Sequence, residues 1–166
     1  MWFTVFLWAH ILSAIIAFGP TFTYPLLGNM VSKEPQHALF VVKFQESFTM
    51  KMLYPLGLVV LPLAGLGMIL VNHIPVFTSP FRWLLAGIVL FLIAATYSVT
   101  VQTPTGMKLM KALEAMPPGP PPEGSTGPPP EIFALVKKLK AGGIFLTIMV
   151  IVIFTLMVFG ANGKLS

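Results

Sequence analysis

The sequence predicts an all-α protein, a four-helix transmembrane bundle that forms one domain over residues 1–166. Of its residues 56% are hydrophobic and only 9% are charged, whereas a soluble domain carries about 25% charge. Four apolar runs reach the length of about 20 residues that a helix needs to cross the hydrocarbon core. These runs predict membrane spans at about 2–27, 52–73, 81–101 and 141–160.

The charge distribution predicts how the spans are oriented. Most of the ten basic residues and all five acidic residues lie in the segments 28–51 and 102–140. By the positive-inside rule these segments are cytoplasmic, so four spans leave both termini outside. The same distribution argues against a basic groove for nucleic acid. We therefore expect a multi-pass protein of the bacterial inner membrane, with the lipid bilayer as its surroundings.

The first span carries a stripe of small and polar residues at helical spacing. The helix is expected to bend near Gly19-Pro20, and we interpret the run as a retained first helix rather than a cleaved signal peptide. Small residues allow helices in lipid to approach closely, so this face is expected to pack against another helix. Its members are His10, Ser13, Ala14, Ala17, Thr21, Tyr24 and Gly28.

The second span follows an amphipathic segment in which Leu39, Val42, Phe44 and Phe48 alternate with Lys43, Gln45 and Glu46. We predict that this segment is an interfacial helix on the cytoplasmic side. The span itself contains Pro55 and Pro62, whose missing N–H groups membrane helices tolerate when neighbours satisfy the freed carbonyls.

The third span ends near a second predicted interfacial helix, which begins after Pro104 and includes Lys108 and Lys111. A proline-rich stretch then predicts a cytoplasmic linker over 117–130, because consecutive prolines form neither helix nor sheet. The fourth span follows this linker, and its glycines and threonines indicate close helix packing.

Several reaction classes lack their usual residues. The chain has no cysteine, and no Asp or Glu lies within a predicted span. The phosphate-binding, zinc-protease and serine-hydrolase motifs are also absent. We therefore assign no catalytic residue and no metal site, and the sequence leaves open whether the protein is an enzyme.

His10 is the ionisable residue that the apolar pattern places inside a span, and such residues are functional-site candidates. A neutral imidazole is a good axial ligand for haem b, and Met68 or Met149 could supply a sixth ligand. The other interpretation is structural, in which His10 forms a hydrogen bond across the bundle. His37 in the wet inner segment and His73 at the outer boundary are interpreted as surface and interfacial residues.

The segment LWAHILSAIIAFGPTFTYPLL resembles the first helix of an uncharacterised bacterial integral-membrane family, a four-span domain of unknown function. Its core, His10 to Gly19, is also similar to the first helices of copper-resistance-D-like proteins and of HemJ-like proteins, which bind haem b. HemJ-type helices carry a basic residue soon after the glycine, where this chain has Pro20 and Thr21. The resemblance therefore implies a role for His10 alone.

Three functions follow as hypotheses. The first is haem b binding at His10 for electron transfer or redox chemistry. The second is a non-enzymatic accessory subunit of a larger respiratory or photosynthetic membrane complex, or a homo-oligomer. The third, a small transporter or channel, requires a wet path that the uncharged spans do not indicate.

Overall fold

The structure of the protein, a computed structural model, describes residues 1–116 and 129–163. Within these residues the fold consists of four long helices: α1 (Trp2–Lys33), α2 (Pro35–Val71), α3 (Ser79–Glu114) and α4 (Pro130–Ala161). Each is long and apolar enough to cross a membrane, which confirms the predicted all-α transmembrane class. The predicted proline-rich linker lies outside the described residues as far as residue 128. We call the end that carries Trp2 the outer end.

The proline-containing bend in α1 tightens the helix without ending it. The α-helix Trp2–Phe18 passes through a 3₁₀ segment, Gly19–Thr23, into the α-helix Tyr24–Lys33. The Thr21 hydroxyl donates to the Phe18 carbonyl at 2.6 Å, and the Thr23 hydroxyl donates to the Pro20 carbonyl at 2.6 Å. Both hydroxyl groups thus bond to backbone carbonyls within the tightened segment.

The middle of α2 is widened rather than broken. It runs from a 3₁₀ turn, Pro35–His37, through the α-helix Ala38–Phe48 and the π-helix Thr49–Val60 to the α-helix Leu61–Val71. The π-helix contains Pro55. Because proline has no N–H to donate, local adjustments of this kind let a membrane helix continue past it.

Helix α3 has the same kind of widening, and α4 is continuous. In α3 a 3₁₀ turn, Ser79–Phe81, leads into the α-helix Arg82–Tyr97, the π-helix Ser98–Gln102 and the α-helix Thr103–Glu114. The two segments predicted as interfacial helices are therefore helical, and they continue α2 and α3 without a break. At 37 residues, α2 is longer than the about 20 residues that suffice to cross the hydrocarbon core.

The four helices are arranged as two pairs. Along their outer parts α1 packs on α2 and α3 packs on α4. The pairs meet where Ala38–Phe48 of α2 packs against Thr103–Glu114 of α3, a contact that we call the inner joint. No other segment described in the structure packs extensively from one pair onto the other. In its outer part each helix therefore buries one face against its partner in the pair. Apolar residues on the other faces, such as Ile15 and Phe154, are exposed.

Candidate functional site

His10 lies half-buried between α1 and α2. Its Nδ1 is 2.8 Å from the carbonyl oxygen of Leu61. Because a carbonyl oxygen only accepts, the proton must lie on Nδ1 and the imidazole is the donor. A partner for this ring is therefore present inside the apolar part of the protein, as the sequence-based hypothesis requires.

Gly65 brings the backbone of α2 against the same edge of the ring. A Cβ atom at this position would lie 3.3 Å from both Nδ1 and Cε1 of His10. The Nδ1–Cε1 edge of the imidazole therefore faces α2, and its orientation is fixed by one hydrogen bond and one close backbone contact. A larger residue at Gly65 would push the ring away.

Nε2 is the remaining polar atom of the ring. With the proton on Nδ1, Nε2 carries a lone pair directed away from the Leu61 carbonyl. No group in the described part of the chain forms a hydrogen bond with it. The site therefore presents a ring nitrogen without a described partner within an apolar segment, while the other ring nitrogen donates to the backbone of the neighbouring helix.

Two other members of the predicted stripe are buried, and one of them contacts α2. Ser13 and Ala17 are buried, and the Ser13 hydroxyl donates to the Ala9 carbonyl at 2.6 Å. A Cβ atom on Gly57 would lie 3.2 Å from Cβ of Ala17, so the two backbones approach closely there. Gly28, the last member of the predicted stripe, does not take part in this packing. It is exposed, and an added Cβ atom would meet no side chain or distant backbone within 4 Å.

The two methionines suggested as sixth ligands lie on different helix pairs. Met68 is half-buried on the face of α2 that carries Leu61 and Gly65, one helical turn nearer the outer end than Gly65. Met149 is half-buried on α4. Neither thioether forms a hydrogen bond with His10 in the described residues, and the sixth ligand stays a prediction.

The other two histidines are at opposite ends of α2. His37 is exposed, and its Nε2 lies 3.3 Å from a carboxylate oxygen of Glu34. His73 has a φ of 50° and ends the helix, with the Ile74 N–H bonded to the Ile69 carbonyl at 3.0 Å. Over residues 1–116 and 129–163 no group of three His, Cys, Asp or Glu could hold a metal ion.

The inner joint is a second polar site, which the sequence pattern did not single out. The Glu46 carboxyl lies against the backbone of α3, where a Cβ on Gly106 would collide with Oε1 and lie 2.9 Å from Cδ. Its Oε2 is buried, and no described group bonds to it. The hydroxyl of Tyr24 is also buried without a hydrogen bond, and it lies within electrostatic range of Glu46. Thr49 lies close to Tyr24, and its own hydroxyl donates to the Gln45 carbonyl at 2.9 Å.

Two further contacts close the joint around Glu46. Nζ of Lys43 lies 2.8 Å from a carboxylate oxygen of Glu114. The Tyr54 hydroxyl is 2.7 Å from Oγ1 of Thr103. The sequence signal for this site is the helical spacing of Thr103 and Gly106, since small residues on a helix mark a close partner.

Comparison with known proteins identifies the family but no characterised relative. A family model described as a predicted integral membrane protein, DUF2269, matches residues 4–160. No curated protein and no solved structure matches the chain. The match covers all four helices, as the resemblance to an uncharacterised four-span family implied. This chain therefore belongs to the DUF2269 family of predicted integral membrane proteins.

Proposed function

We propose that the protein binds haem b through Nε2 of His10 and serves electron transfer in the membrane. The observation that carries the proposal is the state of the imidazole, whose proton is held on Nδ1 by the Leu61 carbonyl while Nε2 has no described partner. Ligating histidines in proteins commonly donate their other N–H to a carbonyl or carboxylate, which fixes the tautomer and strengthens the ligand. Haem would supply a one-electron redox centre.

The donor chemistry of the site fits haem, and the helix packing restricts where it fits. Helices α1 and α2 are too close for a macrocycle between them, since Gly57 meets Ala17 and Gly67 meets the ring of Phe6. The ligating nitrogen would therefore face out of this pair. Along the outer parts of the described helices, α3 and α4 do not pack extensively against the pair of α1 and α2. The surface that Nε2 faces is therefore not covered by the other pair. The apolar surroundings would keep water from the ligand.

An absorption spectrum tests the proposal directly. Protein purified after expression with supplied haem should show a Soret band, and His10→Ala should lose it while remaining folded. His37→Ala and His73→Ala are the controls and should keep the band. Absence of a Soret band from the wild type, or a band that survives in all three variants, would show that His10 is structural.

The sixth ligand is tested in the same preparation. If Met68 coordinates the iron, Met68→Leu should convert a low-spin spectrum into a high-spin one, and Met149→Leu should leave it unchanged. The reverse result would assign Met149. A spectrum that neither change affects would show that neither thioether is a ligand.

The second candidate function is that of an accessory subunit or homo-oligomer. It is favoured by the outer parts of the two helix pairs, which do not pack extensively on each other in the described residues, and by Gly19 and Gly28, whose surroundings are open. Unpacked glycines on a membrane helix allow another helix to approach. Native mass spectrometry of the protein in mild detergent should then show a complex larger than the single chain. A monomeric mass without partner proteins would exclude this function.

A further inference from the structure

We propose that Glu46 is a proton-binding site that controls the inner joint between the two helix pairs. In its neutral form the carboxyl group would keep the joint closed, and loss of its proton would loosen it. The proposal concerns different residues from the haem site and does not depend on haem binding.

The position of Glu46 gives its charge an effect on the whole arrangement. The carboxyl lies directly against the α3 backbone at Gly106, inside the contact that joins the pairs. A charge buried without a partner costs free energy, and the neutral acid avoids this cost. Separating α2 from α3 would let water reach an ionised Glu46, so ionisation favours an open joint.

The neutral acid also offers a bond that the carboxylate lacks. Protonated Oε2 becomes a donor, and the unpartnered Tyr24 hydroxyl on α1 can accept from it directly or through a water molecule. One proton would thus satisfy two buried polar atoms that have no described partner.

The charged groups around Glu46 do not already neutralise it. On α2 itself the ammonium of Lys43 is bound to Glu114 of α3, and Lys51 is exposed. The lysines on the neighbouring elements are also exposed: Lys33 of α1 and Lys108 and Lys111 of α3. The phenols nearby are Tyr24 and Tyr54, and the latter is bonded to Thr103.

The distance between the outer ends of the two pairs tests this proposal. The chain has no cysteine, so Leu70→Cys on α2 and Phe154→Cys on α4 give one spin-label pair; these side chains are 62% and 67% exposed. The full chain in lipid nanodiscs would be measured by double electron–electron resonance between about pH 5 and pH 9, a range in which buried carboxyl groups titrate. We expect a narrow distribution at low pH and a longer, broader one at high pH.

Three variants separate Glu46 from the other titrating groups. Glu46→Gln should keep the narrow distribution at every pH, because its amide carries no charge. Gly106→Ala should give the broad distribution at every pH, because its methyl group would collide with the carboxyl. Glu34→Gln, which removes an exposed carboxylate outside the joint, should respond as the wild type does. A wild type insensitive to pH, or a Glu46→Gln variant that still responds, would overturn the proposal.

Discussion

The two helix pairs use the same packing device on different side chains. In the pair of α1 and α2, three glycines of α2 lie against side chains of α1, namely those of Ala17, His10 and Phe6. In the pair of α3 and α4, glycines receive Trp83, Tyr97 and Met157. Glycine lets the helices approach in both cases, so the chemistry of each interface is set by the opposing side chain.

The difference between the pairs lies in the polar group that each interface contains. In the first pair Nδ1 of His10 donates to the Leu61 carbonyl at 2.8 Å. In the second pair Nε2 of Gln102 donates to the Leu139 carbonyl at 3.1 Å. Both are bonds from a side chain to the backbone of the neighbouring helix. Of these two groups the imidazole keeps a basic lone pair suited to a metal, so the comparison favours the first pair as the place of the candidate function.

The largest effect is expected where glycine meets a rigid ring. A Cβ on Gly160 would collide with the indole of Trp83, whereas one on Gly87 would collide with the terminal methyl of Met157, which can rotate aside. Gly160→Ala should therefore lower the free energy of unfolding by about 1–3 kcal/mol, and Gly87→Ala should change it by less than about 1 kcal/mol. Unfolding titrations in mixed detergent micelles measure both. Equal losses would show that the shape of the opposing side chain does not decide the cost.

A smaller effect is expected when the interhelical hydrogen bonds are removed. His10→Phe keeps a ring and Gln102→Met keeps the chain length, and each loses one bond to a backbone carbonyl. Such bonds in membranes contribute about 0.6 kcal/mol on average, so both variants should be destabilised by about 1 kcal/mol or less without haem. The same unfolding titration, repeated with haem, sharpens the comparison. Haem should raise the stability of the wild type and of Gln102→Met, but not that of His10→Phe.

The spans and the packing face of α1 could be predicted from the sequence because both depend on local spacing. Ser13 and Ala17 are buried as the stripe indicates. The pairing of the helices could not be predicted, since four apolar helices of similar length allow several arrangements with the same buried faces. The amphipathic pattern places Glu46 on the polar side of its helix with Lys43 and Gln45. Its burial depends on α3, which is distant in sequence and approaches through Gly106.

The smallest effect is expected at the outer ends of α2 and α4, where both helices finish on a residue of positive φ. Gly163 has a φ of 69° after α4, and His73 has a φ of 50° after α2. A left-handed backbone costs a residue with a Cβ about 1 kcal/mol, and glycine avoids this cost. His73→Gly should therefore stabilise the protein by up to about 1 kcal/mol. The greater conformational entropy that glycine gives the unfolded chain reduces this gain.

The matched change is Gly163→Ala, which should destabilise by a similar amount because it puts a Cβ where α4 has none. Both variants can be measured in the unfolding titration, with His73→Ala as the control that keeps a Cβ at the strained position. Greater stability in His73→Gly but not in His73→Ala would assign the effect to the backbone. Both variants lack the imidazole, so a difference between them reports on the backbone alone. If His73→Gly were less stable than His73→Ala, the strain of the left-handed residue would not determine the stability of this helix end.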